Sequence, residues 1–219
     1  MTHVLIADDD PNILMVFSAF LKSEPLTLDV AADGRAAVEK ISARVPALVI
    51  LDMDMPVMNG YEAARIIRAV HSAEALPIIG VTGHDDPDAE RKCLEAGCTS
   101  YLAKPVRRAA LVQAVGAALG ARRGKDLRKS PAFQEVPDAL VSRFLAQVGE
   151  DVSRAFELVA DGRFGEVGRI GHQIRGTAGT LGFPRIGGAG VVLEMAAAGG
   201  EADDVVAALR ALEREVKRQ

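Results

Sequence analysis

The sequence has no tryptophan and only two tyrosines, against 21 glycines in 219 residues. Its two cysteines, Cys93 and Cys98, are too few for a disulfide framework and fit a reducing compartment. No apolar run approaches the ~20 residues that cross a bilayer, so membrane insertion is not expected. The first strand-like stretch, Val4 to Ala7, is too short for a signal-peptide core and has no basic leader. A basic surplus is also missing: the net charge is −4, which argues against a protein that coats nucleic acid. The chain carries no GxxxxGK[ST] loop and no Asn-rich or Gly-rich nucleotide box, which excludes an ATP-binding kinase domain. It leaves no room for a DNA-binding output domain. What remains is 49% hydrophobic and enough chain for one large or two small domains, expected to be soluble, globular and cytoplasmic.

The first 120 residues alternate between two periodicities. Short branched apolar runs occur at Val4–Ala7, Leu26–Ala31, Ala47–Leu51, Ile78–Thr82 and Ser100–Leu102. Helical patterns lie between and after them, at Asn12–Lys22, Arg35–Ala43, Tyr61–Val70, Asp88–Ala96 and Arg107–Leu119. Near-continuous apolar runs suit strands covered on both faces, and the βα alternation predicts a doubly wound five-stranded parallel sheet, an α/β fold. Residues 121–134, ARRGKDLRKSPAFQ, hold five basic residues and one acid and read as a basic linker. From 135 to 219 no strand pattern survives. Apolar residues recur at three- and four-residue spacing, and breaks at Gly149, Asp161-Gly162, Gly182–Pro184 and Gly199-Gly200 predict about five helices in an all-α bundle.

In an α/β sheet, functional residues gather at the carboxyl ends of the strands. Here strand 1 runs into Asp8-Asp9-Asp10, strand 3 into Asp52, strand 4 ends in Thr82, and strand 5 runs into Lys104-Pro105. A lone Asp at such a place is usually a helix N-cap or a solvated loop residue, and Asp10 before Pro11 reads as a cap. The ordered set of carboxylates, hydroxyl and ammonium is not explained that way. Clustered carboxylates persist beside a hard cation, and oxygen ligands with water-filled positions suit Mg²⁺. A carboxylate beside that ion can attack a phosphoryl group, while a nearby hydroxyl and ammonium neutralise the transferred oxygens.

The segments VLIADDDPNI, LVILDMDMPVMNGYE, PIIGVTG and AGCTSYLAKPV together resemble the receiver domain of two-component response regulators, over the whole of residues 1–120. The resemblance implies Asp52 as phosphoacceptor and Asp9 as a direct Mg²⁺ ligand. It further implies that Asp8 acts mainly through a bound water and that the Asp54 backbone carbonyl completes the metal shell. Thr82 and Lys104 would contact the phosphoryl group, the Lys104–Pro105 bond would be cis, and Tyr101 would be the aromatic switch that turns inward when Thr82 moves. Gly83 departs from the small Ala or Ser usual after the switch threonine, and His84 beside it reads as a solvent-exposed loop residue.

Of four histidines, His3 and His71 have no convergent partners and are expected at the surface. His172 differs. On a helix, His172, Arg175, Gly176 and Gly179 share one face, and glycine in a helix costs about 1 kcal/mol relative to alanine. Absent side chains would let another protein approach the imidazole, and Arg175 could balance phosphoryl charge. Spacing alone leaves tight helix packing equally open. The text HQIRGTAGTLGF, however, resembles the HxxKGxxxxxG signature of histidine phosphotransfer (HPt) domains, over about residues 135–219. That implies His172 as the phosphorylatable residue, with Arg175 where the family has lysine. Gly187, Gly188 and Gly190 are unusual inside a helix.

The expected function is a phosphoryl carrier rather than a turnover enzyme. A sensor histidine kinase would phosphorylate Asp52, and His172 would pass the group to or from a downstream receiver. Self-association through the receiver is a further candidate contact. The alternative is a regulatory interaction module, whose helical half is exposed or masked by phosphorylation of Asp52.

Overall fold

A computed structural model describes residues 2–83, 88–123 and 136–219. The chain forms two compact units, Met1–Gln134 and Glu135–Gln219. In the first, β1 (Thr2–Ala7), β2 (Leu26–Ala31), β3 (Leu48–Asp52), β4 (Ile78–Thr82) and β5 (Ser100–Ala103) alternate with α1 (Pro11–Leu21), α2 (Gly34–Ala43), α3 (Gly60–Val70), α4 (Ala89–Glu95) and α5 (Arg108–Arg123). The strands form one parallel sheet in the order β2-β1-β3-β4-β5. Burial follows the sequence: β3 and β4 are buried at every residue, while the edge strands β2 and β5 are only partly covered. Two strand pairings align the carboxyl ends of the sheet. Ala7 lies beside Leu51 and Thr82 beside Ala103, so Asp8 and Asp52 emerge level, and Lys104 emerges one step beyond Thr82.

Helix starts in this unit follow local chemistry. Asp10 caps α1, accepting from the Asn12 N–H at 2.8 Å with Pro11 at the first turn. Asn59 and Glu62 form a reciprocal capping box at α3. Helix α5 reaches Arg123, inside the segment read as a linker, and the rest of that segment lies outside the described residues. His84 also falls outside them. His3 and His71, expected at the surface, are half-buried.

The second unit contains α6 (Asp138–Ala160), α7 (Phe164–Leu181), α8 (Pro184–Gly199) and α9 (Ala202–Val216). Four helices are therefore described where the breaks had suggested five. Helix α6 runs through Gly149 because Phe144, Val148, Val152, Ala155 and Leu158 keep one buried stripe on both sides of it. That stripe outweighs the cost of one glycine. The other breaks are real: Gly162, Gly182 and Gly200 all take left-handed conformations, at φ 71, 86 and 76°.

Helices α7 and α8 pack through two facing glycines. A Cβ on Gly171 would lie 2.8 Å from the Gly190 carbonyl oxygen, and one on Gly190 would lie 2.8 Å from the Gly171 oxygen. Two of the glycines in these helices are thus required by backbone contact. Gly149, by contrast, has nothing within 4 Å of an added Cβ. Opposite outcomes are expected in thermal unfolding followed by circular dichroism. Gly149→Ala raises stability by up to about 1 kcal/mol, whereas Gly171→Ala or Gly190→Ala lowers it by about 1–3 kcal/mol through overpacking.

Candidate functional site

The strand order reverses direction between β1 and β3, which opens a crevice at their carboxyl ends. Asp8 and Asp52 are buried there, and Asp9 is half-buried. One carboxylate oxygen from each lies within 4.8 Å of the others, a spacing that suits a hard cation. Asp54 comes next on an exposed loop. Lys104 Nζ reaches in from beyond β5, 3.2 Å from Asp8 Oδ2 and 3.0 Å from Asp52 Oδ1. The Lys104–Pro105 peptide is cis. Thr82 is buried at the end of β4, and its carbonyl accepts from the Lys104 N–H at 2.7 Å.

The electrostatics are unbalanced. Burial first, then the Asp52 charge, push the Asp8 carboxyl well above the ordinary carboxylate range, against the opposing pull of Lys104. Burial works against the Lys104 charge too, but Asp8 and Asp52 overcome it and hold the ammonium above its usual value. One cation therefore serves two buried carboxylates. Asp52 Oδ1 is buried, with Lys104 Nζ at 3.0 Å as its ion-pair partner. Three clustered carboxylates sharing one ammonium fit a second positive charge.

The loop after β3 is held tightly against the site. A Cβ on Gly60 would collide with the Asp52 carbonyl oxygen, so the first residue of α3 must be glycine. Val57, at the loop's tip, takes φ 68° with its side chain 71% exposed. A β-branched residue there is strained. Tyr101, on β5, faces outward and donates its hydroxyl to Glu90 Oε2 at 2.8 Å.

His172 lies on α7 in the second unit, with Arg175 one turn on and half-buried Gly176 and Gly179 on the same face. Its Nδ1 is 3.1 Å from Glu194 Oε1, a residue of α8. Arg175 Nη1 is 3.4 Å from the other oxygen, Glu194 Oε2. Arg175 Nη2 also passes 3.4 Å from Nδ1. An Nδ1 that donates to the carboxylate cannot accept from the guanidinium, so the shorter, charge-assisted bond decides the tautomer. Sequence reasoning did not single out Glu194, which closes the segment IGGAGVVLE. Only the glycine contact between α7 and α8 brings it to the imidazole: the Cβ missing from Gly171 would lie 2.9 Å from the Glu194 backbone nitrogen.

The raised Asp8 carboxyl carries a sign. A group whose pKa rises on folding favours the folded state below its unfolded value, and that favour is lost as pH climbs through the folded one. In chelator at neutral pH, Asp8→Asn is expected to melt at a higher temperature than the parent chain, because Asn keeps the oxygen that accepts from the Asp10 N–H. The gap should close below about pH 4, where Asp8 is protonated in both states. Melting curves across pH measure this.

Comparison with known proteins covers both units. The response regulator receiver domain family matches residues 4–116, and the Hpt domain family matches residues 139–218. An uncharacterised 14.6 kDa protein of Leptolyngbya boryana is 30% identical over 112 residues, 51% of this chain and 86% of that protein. The DNA-binding response regulator MtrA of Mycolicibacterium smegmatis is 33% identical over 124 residues, 57% of this chain, which spans about half of MtrA's length (52%). The crystal structure of a response regulator from Chloroflexus aurantiacus superposes with a TM-score of 0.51 at 30% identity, covering 54% of this chain and 98% of that one. No described helix is long and apolar enough to cross a membrane. With a receiver sheet carrying three acidic side chains in its crevice and an Hpt bundle behind it in the sequence, the chain belongs to the response regulator receiver family and to phosphorelay signalling.

Proposed function

We propose that Asp52 accepts a phosphoryl group from a sensor histidine kinase and that His172 carries it to or from a receiver aspartate. The observation that carries the reading is the convergence of Asp8, Asp9 and Asp52 oxygens within 4.8 Å, with Lys104 3.0 Å from Asp52. Asp8, Asp9, Asp52 and the Asp54 carbonyl would hold Mg²⁺. That ion, when bound, neutralises charge on the transferring oxygens.

The chain's own groups then divide the work. An Asp52 carboxylate oxygen forms the new bond to phosphorus while the donor's bond to phosphorus breaks, its electron pair leaving with the donor. Lys104 balances the charge gathered on the phosphoryl oxygens, and the Thr82 hydroxyl donates to one of them. Asp8 and Asp52, buried in the same crevice, keep Lys104 protonated for that task. In the second unit, Glu194 holds the proton on His172 Nδ1, which leaves the lone pair of Nε2 to attack an acyl phosphate. Phosphorus then changes partners from oxygen to nitrogen, and the released carboxylate takes the electron pair. Arg175 stands beside the imidazole as the counter-charge. Its planar guanidinium replaces a compact ammonium, a change of geometry at constant charge.

Tyr101 and Thr82 are assigned the switch. Tyr101 points outward here, hydrogen-bonded to Glu90, and an inward turn on phosphorylation would break that bond. The partners follow from the chemistry: a histidine kinase or Hpt surface for the first unit and a receiver aspartate for the second.

Two sets of variants test the assignment. With acetyl phosphate and Mg²⁺, the parent chain is expected to gain acid-stable, alkali-labile phosphate, and Asp52→Asn to gain none. With a phosphorylated receiver as donor, alkali-stable phosphate should appear on His172 and vanish in His172→Gln. Undiminished label on Asp52→Asn would remove Asp52 as the acceptor. Phosphate found only as the alkali-labile species under every donor would instead favour the regulatory module.

Glu194→Ala should slow transfer at His172 about ten- to a hundredfold, the effect of losing one charge-assisted hydrogen bond. Single-turnover transfer rates measure it, together with the imidazole ¹⁵N shifts that report which ring nitrogen carries the proton. Loss of the carboxylate should shift the ring away from the Nδ1–H tautomer. A parent-like rate with a parent-like tautomer would show that Glu194 does not act on the ring.

A further inference from the structure

The chain's two cysteines meet at the end of α4. There the Cys98 N–H donates to the Cys93 carbonyl at 3.0 Å and the Gly97 N–H donates to the Leu94 carbonyl at 2.9 Å, with Gly97 at φ 102°. This bond pair defines a Schellman motif, whose geometry brings the side chains before and after the turn into contact. The slot usually holds two apolar groups; here it holds two thiols. The turn is pinned from outside, because Arg68 Nε donates to the Gly97 carbonyl at 2.6 Å.

Both sulfurs pack over the same bare Cα. A Cβ on Gly80, in β4, would collide with Cys93 Sγ and lie 3.2 Å from Cys98 Sγ. Glycine at that strand position therefore makes the space the thiols share. Their mutual hydrogen bond holds the Cys93 thiol below its usual range, while the same bond and burial push Cys98 up. Cys93 Sγ also lies 4.0 Å from the Met53 sulfur.

We propose that Cys93 and Cys98 are an oxidative modification site, converted by a hydroperoxide into an intrachain disulfide that closes the end of α4. The inference stands independently of the phosphoryl-transfer reading. In the first step the Cys93 sulfur attacks a peroxide oxygen. An S–O bond forms, the O–O bond breaks, and Cys93 becomes a sulfenic acid as the other oxygen leaves as water. In the second, the Cys98 sulfur attacks the Cys93 sulfur. The S–S bond forms, the S–O bond breaks, and the Cys98 proton leaves with the hydroxide as a second water. Two thiols are oxidised by two electrons, and one hydrogen peroxide is reduced to two waters.

Access comes from the helix itself. Peroxide would enter through local opening of the last turn of α4, a helix only seven residues long. Once formed, the bond ties α4 to the residue that leads into β5. These are the two elements already joined by the Glu90–Tyr101 hydrogen bond. In a reducing compartment such a bond is transient and responsive rather than structural.

The test is hydrogen peroxide on the folded, reduced, full-length chain, followed by unfolding, alkylation and mass measurement. Trypsin leaves both cysteines in one peptide, since Lys92 precedes Cys93 and no cleavable basic residue falls between the two. A further cut after Glu95 yields two peptides held together only by a disulfide. The expected result is loss of the mass of two hydrogens, protection of both thiols from alkylation, and a Cys93–Cys98 linked pair that dithiothreitol separates. Cys93→Ser and Cys98→Ser should show no linked pair while their circular dichroism matches the parent. Full alkylation of both thiols after peroxide would overturn the proposal. So would linkage that appears only between chains or only in denaturant.

Discussion

Two carboxylates buried side by side with a single ammonium between them form the constraint around which the first unit is built. Water would separate Asp8 and Asp52 at little cost, but the crevice between β1 and β3 excludes it and strengthens both their repulsion and their attraction to Lys104. Everything nearby serves to keep that arrangement. The parallel register sets the two acids level, and Gly60 lets the backbone of α3 touch the Asp52 carbonyl. The excess negative charge of the three clustered acids is what a divalent cation would balance. A site that is electrostatically unfinished is also one whose neighbours respond when it is completed.

The second unit meets a different constraint. A histidine on a single helix is an ordinary side chain until something fixes which nitrogen carries the proton. Here that something is a carboxylate on the neighbouring helix, and it arrives only because α7 and α8 approach to backbone contact at Gly171 and Gly190. The glycines act through the space they leave, and Glu194 acts through the imidazole. Arg175 bridges to the same carboxylate, so the three side chains form one charge-balanced set. The exposed Val192 and Met195 lie on α8 as well, the helix that carries Glu194.

Much of this was legible in the residues. The βα alternation, the buried central strands and the acids at successive strand ends all follow from local periodicity, which any short window of sequence contains. The glycine breaks at 162, 182 and 200 were visible because left-handed backbone selects glycine. Gly149 misled for the same reason: a glycine signals a break only when no continuous buried stripe passes through it. Glu194 was not singled out, since nothing in the text VVLEM says which neighbour the carboxylate will meet. The Cys93–Cys98 contact lay in between, for the six-residue Schellman spacing is in the text but is meaningful only once α4 is known to end at Glu95 with Ala96 as its cap.

The sequence by itself determined the class of each unit and supplied the candidate site residues, because periodicity and chemical type are local properties. Tertiary structure alone decided the pairings. It put Asp8 beside Asp52, Glu194 against His172, and two thiols over one glycine. Those contacts join residues on different elements of the chain, and their distances are set by how closely backbones pack, a quantity that no single stretch of sequence contains.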